Sequence, residues 1–277
     1  MSEYNDWIGW GYARSEPMSE RLITQYRATL DGYLAEADVP VGLHWCLVPD
    51  VVAPDKLGRD CHPKTGLFLP ALPLPRRMWA GGELEFHAPF APDDLVTRET
   101  VIEDVAFKEG RSGKLGFVTQ RHSYKVSGEA RISERQDIVY REDPKPGEAR
   151  APERAEDWPG ATAWHITPDP TLLFRFSALT FNGHRIHYDH PYATGVEGYE
   201  GLVVHGPMQA VWMMNLATHL LGHLPARFSY RGLSPLICGA PVSIEARENE
   251  EGLSLRVRRE WDGVATMMAS ANRDILT

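Results

Sequence analysis

Residues 181–193 read FNGHRIHYDHPYA and place histidines at 184, 187 and 190. Three imidazoles this close suit a metal site, a proton-transfer site or a polar surface loop. Catalytic zinc takes histidines at i and i+4 of a helix, with a third ligand from elsewhere. Here the spacing is i, i+3 and i+6, and Gly183 and Pro191 interrupt any helix that would present all three. No metal is therefore expected, and His190 reads as a loop histidine. Proton transfer remains open for the others, because an imidazole titrates near neutrality. Farther along, His205–Gly206 opens the apolar run HGPMQAVWMMNLATHLLGHL. The N-terminus of such a helix offers free N–H groups to an oxygen that gains negative charge, and a neighbouring imidazole can move the proton. These are the parts for chemistry at a thioester. His205 itself reads as a structural residue of the helix entry.

The elements that must position these groups alternate in type. MSERLITQYRATLDGYLAEA, residues 18–37, has apolar side chains at helical spacing, with Pro17 before its first turn. Residues 67–75 are proline-rich and irregular. After Gly81–Gly82 come four strand-like runs, GELEFHAPF, LVTRETVIEDVAF, LGFVTQRHSYKV and ARISERQDIVYR, separated by turn residues. Residues 142–160 are charged, rich in Pro and Gly, and expected to be a linker. Beyond it LLFRFSALT reads as a strand leading into the histidine loop. The run from His205 to about Leu224 is apolar all round, as in a buried core helix. FSYRGLSPLI, APVSIEAREN, LSLRVRREW and TMMASANRDIL read as four more strands. The expected architecture is α+β in duplicate: two antiparallel sheets, each wrapped around a long helix, in domains 1–145 and 160–277.

Composition narrows the class. The chain has 277 residues, 43% hydrophobic and 24% charged, with a formal net charge of −9. No basic stripe points to nucleic acid, and no apolar stretch is long enough for a membrane helix. The first residues lack the basic and apolar regions of a secretory signal. Cys46, Cys61 and Cys238 are widely spaced and odd in number, so reduced thiols in a cytoplasmic protein are expected.

The loop and the His205–Gly206 entry resemble the signature of the MaoC-like, or hydratase 2, branch of hot-dog-fold enzymes. That signature runs Gly-Asp-x-Asn-Pro-Leu-His, with a His-Gly pair opening the hot-dog helix. Asn182 stands at the place of the family's catalytic Asp, His184 at that of its Asn, and His187 at that of the catalytic His. LPLPRRMWAGG and FNGHRIHYDHPYA together resemble a double hot-dog subgroup. It contains 3-methylfumaryl-CoA (mesaconyl-C4-CoA) hydratases and hydroxyacyl-thioester dehydratases.

The resemblance implies a double hot dog, a substrate-binding first half and a catalytic second half. It also implies a hydro-lyase without cofactor that adds water to an α,β-unsaturated acyl-CoA. The favoured substrate is a C5-dicarboxyl ester, with mesaconyl-C4-CoA or itaconyl-CoA giving citramalyl-CoA. Straight-chain 3-hydroxyacyl-thioester dehydration and non-catalytic acyl-CoA binding are the alternatives, and a thioesterase is disfavoured. His187 is expected to move the proton alone while Asn182 holds the water, or else with Asp189 as a second titrating partner, and the Gly206 N–H is expected on the thioester oxygen. An amide has no useful pKa, so Asn182 cannot itself be a base. The substrate-binding candidates are His184, Arg185, Arg175, Arg227 and Arg231, with Arg76, Trp79 and His205. Both halves lie in one chain, so a monomer or a homodimer is expected.

Overall fold

Alternating apolar side chains in the first half build a five-stranded antiparallel unit, β1 (Gly11–Pro17), β2 (Arg76–Phe86), β3 (Leu95–Gly110), β4 (Gly113–Val126) and β5 (Glu129–Arg141). The computed structural model describes residues 4–110, 113–143 and 152–276. The second half supplies β6 (Thr162–Ile166), β7 (Arg227–Gly232), β8 (Val242–Glu248), β9 (Gly252–Arg259) and β10 (Ala265–Asn272). The strand order β1-β3-β4-β5-β2-β7-β10-β9-β8-β6 reads the same from either end when each strand is paired with its counterpart. Antiparallel pairing of β2 with β7, from Gly81↔Arg231 to Glu85↔Arg227, fuses the two expected sheets into one.

The described residues include four α-helices, α1 (Glu20–Thr29), α2 (Pro170–Leu179), α3 (His190–Gly195) and α4 (Gly206–Leu221), of which α4 packs on the sheet. Every residue of α4 from Met208 to Thr218 is buried. The helix lies on the apolar face made by Val242, Ile244, Leu255, Val257 and Met267. Burying such side chains stabilises by roughly 2 kcal/mol each. Gly222 ends α4 in the left-handed region at φ +74°, its N–H donating to the Thr218 carbonyl at 3.0 Å.

The double hot-dog α+β architecture is present, with several differences from the expected detail. Among the described residues the long helix occurs once. At the corresponding place in the first half the chain makes only a 3-10 turn, Leu43–Cys46, entered through Gly42 at φ +90°. A Cβ on Gly42 would lie 2.7 Å from Val211 Cγ2, so glycine lets this segment cross α4 closely. The helix expected over 18–37 stops at Thr29, and the chain turns at Gly32 with φ +81°.

LLFRFSALT is also no strand, because it forms α2. Asp169 caps it, its Oδ1 accepting from Leu172 N at 2.7 Å, and Pro170 fills the first turn. A short apolar run does not separate helix from strand by composition, and the Asp-Pro start is the cue that does. The edge strands β1 and β6 are further elements that the sequence pattern did not mark. Part of the expected linker, residues 144–151, lies outside the described residues.

Candidate active site

The histidine loop hangs between α2 and α4 and is shaped by its own polar groups. Phe181 takes φ +50°, and Asn182 Oδ1 then accepts the His184 N–H at 2.9 Å. The Asn182 side chain thus closes an Asx-type turn, which leaves its NH2 group for other partners. A 3-10 turn, Arg185–His187, brings His187 inward to a buried position. The Val203 N–H donates to the Ile186 carbonyl at 2.9 Å, which ties the loop to the α4 approach.

His187 Nδ1 lies 2.7 Å from the Val203 carbonyl oxygen. A carbonyl only accepts, so Nδ1 carries the hydrogen and Nε2 presents a lone pair. Nε2 has no hydrogen-bond partner among the described residues. Burial, with His184 adding to it, holds this imidazole well below the usual histidine range, so it is neutral at pH 7. A neutral ring with its tautomer set and its second nitrogen free has the form of a general base.

His205 stacks on His187, ring centroids 3.6 Å apart, and its Nε2 lies 2.8 Å from Ser177 Oγ on α2. It is the N-cap residue of α4, and no side chain caps that helix. The Gly206 N–H has no acceptor among the described residues, so the positive end of a sixteen-residue helix opens beside the imidazole pair. A Cβ on Gly206 would lie 3.9 Å from the Trp79 carbonyl oxygen, at the bulge of β2 between Trp79 and Gly81. Trp79 Nε1 donates to Tyr230 Oη at 2.8 Å, and its ring meets Trp45 edge-on. The first half thus forms one wall of the site.

That wall carries two groups the sequence reading did not single out, Asp60 and His62. His62 Nδ1 lies 3.1 Å from Asp60 Oδ2, and the His62 ring is 4.3 Å from the ring of His184. Donor atoms of Asp60, His62 and His184 gather within 4.8 Å. The carboxylate is committed to the His62 N–H, with the Arg77 guanidinium 3.7 Å away, and a nearby cation opposes binding of another. The set has the form of an acid–base pair rather than metal ligands. The cue in the sequence was the Asp-x-His spacing at 60–62, masked by the prolines and glycines around it.

A family model for hydroxyacyl-thioester dehydratase type 2 matches residues 42–238, a span holding both the Asp60–His62 turn and the histidine loop. The chain belongs to this family. With it, the chain is a hydro-lyase. Mesaconyl-C(4)-CoA hydratase of Chloroflexus aurantiacus is 40% identical over 273 residues, covering 96% of this chain and 97% of the relative. The mitochondrial hydroxyacyl-thioester dehydratase type 2 of Schizosaccharomyces pombe is 26% identical, covering 82% and 87%. Among solved structures, HtdX of Mycobacterium tuberculosis superposes with a TM-score of 0.67 at 17% identity over 94% of this chain and 98% of that one. Another protein of that organism, described as a double hot dog, gives a TM-score of 0.56 at 16% identity, covering 96% of each chain.

In this member of the dehydratase family the expected anion-binding arginines are mostly engaged elsewhere. Arg185 donates through Nε and Nη2 to Asp189 Oδ2 at 2.9 and 2.8 Å. Asp189 Oδ1 meanwhile caps α3 by accepting from Tyr192 N at 3.1 Å. The Arg185 hydrogen bond, with that cap, holds the Asp189 carboxyl below its usual range. Both oxygens of Asp189 are therefore occupied. Arg76 is buried in an ion pair with Glu197, Nε to Oε2 2.6 Å. Arg227 pairs with Glu83 and Glu85 on β2, and Arg175 reaches the Ala28 carbonyl of α1. Of the five arginines singled out, only Arg231 has no hydrogen-bond or ion-pair partner among the described residues. It is exposed on β7, opposite Gly81.

A cavity of about 450 Å³, lined mainly by apolar groups of residues 35–44, 86–90 and 218–224, lies at the other end of α4 and does not include His187. No helix among the described residues is long and apolar enough to cross a membrane.

Proposed function

We propose that the protein adds water reversibly across the α,β-double bond of an acyl-CoA thioester. The reading is carried by His187, a neutral imidazole whose Nδ1–H is bound to Val203 O and whose Nε2 is free beside the open end of α4. Nε2 takes a proton from water as its oxygen bonds to the β-carbon. The electron pair of the double bond moves toward the α-carbon and the thioester oxygen. The Gly206 N–H donates to that oxygen, an interaction worth on the order of 3 kcal/mol in the transition state of comparable sites. Asn182 uses its NH2 group to position the water or the acyl carbonyl. Asp189, tied to Arg185 and to the α3 cap, acts structurally.

The domains are assigned as 1–145 for the substrate-binding half and 160–277 for the catalytic half. The site draws on both within one chain, so a monomer suffices for activity. Three free thiols fit a cytoplasmic location. The preferred substrate is a C5-dicarboxyl-CoA such as mesaconyl-C4-CoA or itaconyl-CoA, giving citramalyl-CoA. Its support is the Chloroflexus relative, similar over nearly the whole chain. Arg231 is the cation left free for an anionic group of the ester. The second reading, dehydration of straight-chain 3-hydroxyacyl thioesters, rests on the weaker likeness to the yeast dehydratase.

Relative kcat/KM on mesaconyl-C4-CoA, itaconyl-CoA and crotonyl-CoA separates these readings, and a winning straight chain removes the C5 assignment. His187→Ala is expected to lose at least 10²-fold in kcat, as for a general base. Negligible hydration by the unmodified protein on all three esters would leave an acyl-CoA-binding protein.

A further inference from the structure

Hydration moves two protons, one away from water at the β-carbon and one onto the α-carbon. His187 accounts for the first. The loop carboxylate usual in the resembling signature is an amide here, Asn182, and Asp189 has no free oxygen. Any second proton-transfer group therefore comes from elsewhere.

The first half supplies a candidate across the seam. Residues 58–62 form a tight turn, with Gly58 N donating to His62 O at 2.7 Å and Cys61 N to Gly58 O at 3.0 Å. Asp60 Oδ1 accepts the His62 backbone N–H and Oδ2 faces His62 Nδ1, both at 3.1 Å. Arg77 on β2 braces the turn, its Nη2 donating to the Pro63 carbonyl at 2.6 Å. The turn then docks on the histidine loop, where the Arg185 N–H donates to Asp60 O at 3.1 Å. A Cβ on Gly183 would stand 3.0 Å from the Cys61 carbonyl oxygen, so glycine permits this contact. The outcome is a row of rings in which His62 lies 4.3 Å from His184 and His184 lies 5.4 Å from His187.

A carboxylate only accepts, so Nδ1 of His62 is its donor. Nε2 then has no partner among the described residues. Burial pushes the Asp60 carboxyl up, but the His62 hydrogen bond and the charges of His62 and Arg77 outweigh it and keep the group ionised. An ionised carboxylate orients an imidazole and stabilises its protonated form. The charged and titratable groups facing His62 are Asp60 on its own turn, Arg77 from β2, His184 from the loop, and His187 and His205 behind it.

We propose that His62 is the second proton-transfer residue of the site, with Asp60 as its positioning partner. This deepens the hydratase reading and rests on it. In hydration, the C–O bond forms at the β-carbon as His187 Nε2 takes the water proton. The π electrons of the double bond take a proton from Nε2–H of the His62 imidazolium to make the α-carbon C–H bond. His187 ends with one extra proton and His62 with one fewer, and exchange with solvent restores both. Dehydration runs the roles in reverse.

The test is kinetic, with purified wild type, His62→Gln, His62→Gly, Asp60→Asn and His187→Gln on the best ester of the panel. His62→Gln should lower kcat by 10²-fold or more with KM within threefold, the range of a lost general acid. Asp60→Asn removes the carboxylate that holds His62 Nδ1, so kcat should fall at least tenfold with KM within threefold. His62→Gly should regain activity when imidazole is added, which loss of folding alone would not allow. His62→Gln within threefold of the wild-type kcat, while His187→Gln is inactive, would overturn the proposal and leave the hydratase reading standing. Absence of imidazole rescue in a folded His62→Gly protein would also overturn it. So would wild-type activity abolished by a chelator and restored by zinc, which would make Asp60, His62 and His184 metal ligands. An inactive wild type would overturn both readings.

Discussion

The imidazoles of His187 and His205 lie face to face, centroids 3.6 Å apart and planes within 18° of parallel. Two protonated rings at this separation repel strongly, and neither can gain a proton cheaply. Burial is the larger cause for both; His184 adds to it for His187, and His187 adds to it for His205. A base must be unprotonated to act, so lowering its pKa extends activity to acid. The acid limb of kcat/KM for hydration should therefore lie well below pH 6.5. Initial rates from pH 5 to 8, over the range where the protein stays folded, test this, and a half-maximal point at 6.5 or above would contradict it.

The same stack carries a cost in acid. His44 and His122 are also buried, each pushed down to about 3 by burial first, with neighbouring positive charge adding to it. Each of these four rings is neutral in the fold and titrates near 6.5 when unfolded. The unfolded chain therefore binds more protons below pH 6.5, and stability present above that value falls as pH drops through it. Each ring contributes about 1.4 kcal/mol per pH unit below its unfolded pKa. Thermal melts at half-unit steps should show Tm nearly level from 8 to 7 and dropping steeply from 6 to 5. A flat profile to pH 5 would mean that these rings are not neutral and buried.

Asn182 offers a cleaner separation of structure from chemistry. Asn182→Asp keeps an oxygen for the His184 N–H and adds a negative charge to the loop that carries His187. The charge favours imidazolium, so the acid limb of hydration should move to higher pH with the fold unchanged. Asn182→Ala removes the turn-closing bond and should lower stability by about 1 kcal/mol, with kcat falling as the loop loosens. An unchanged pH profile in Asn182→Asp would place this side chain too far from His187 to matter.

Different parts of this site were legible to different degrees. FNGHRIH carried His187 and Asn182 because their types and spacing are local. The opening of α4 was readable from His205–Gly206 and the apolar run after it. The fusion of the sheets through β2 and β7 has no local mark, since pairing depends on a seam between residues about 150 apart in sequence, Gly81 and Arg231. α2 was misread because LLFRFSALT has a strand's composition, while its helical signal sat just before that run, in Asp169–Pro170. The partners of the arginines were not legible for a related reason. A sequence shows that a guanidinium exists, but its partner, such as Glu197 for Arg76 or Asp189 for Arg185, is a fact of packing.

Arg76 gives that last point a measurable form. Its Nε lies 2.6 Å from Glu197 Oε2, both side chains are 7% exposed or less, and Glu197 Oε1 also accepts from Tyr192 Oη at 2.9 Å. The pair joins β2 of the first half to the segment after α3, and so holds the wall of the site against the histidine loop. Arg76→Met strands a buried carboxylate and should cost about 3–5 kcal/mol. Arg76→Met combined with Glu197→Leu removes both charges, takes one partner each from the Tyr192 and Tyr199 hydroxyls, and should recover most of that loss. Urea melts of wild type, the single variant and the double variant measure the coupling. If Arg76 instead met a phosphate of CoA, the double variant would keep a raised KM whose size depends on salt. Recovery of both stability and KM in the double variant would identify Arg76 as a buried strut, and a persistent salt-dependent KM would return it to the anion-binding set.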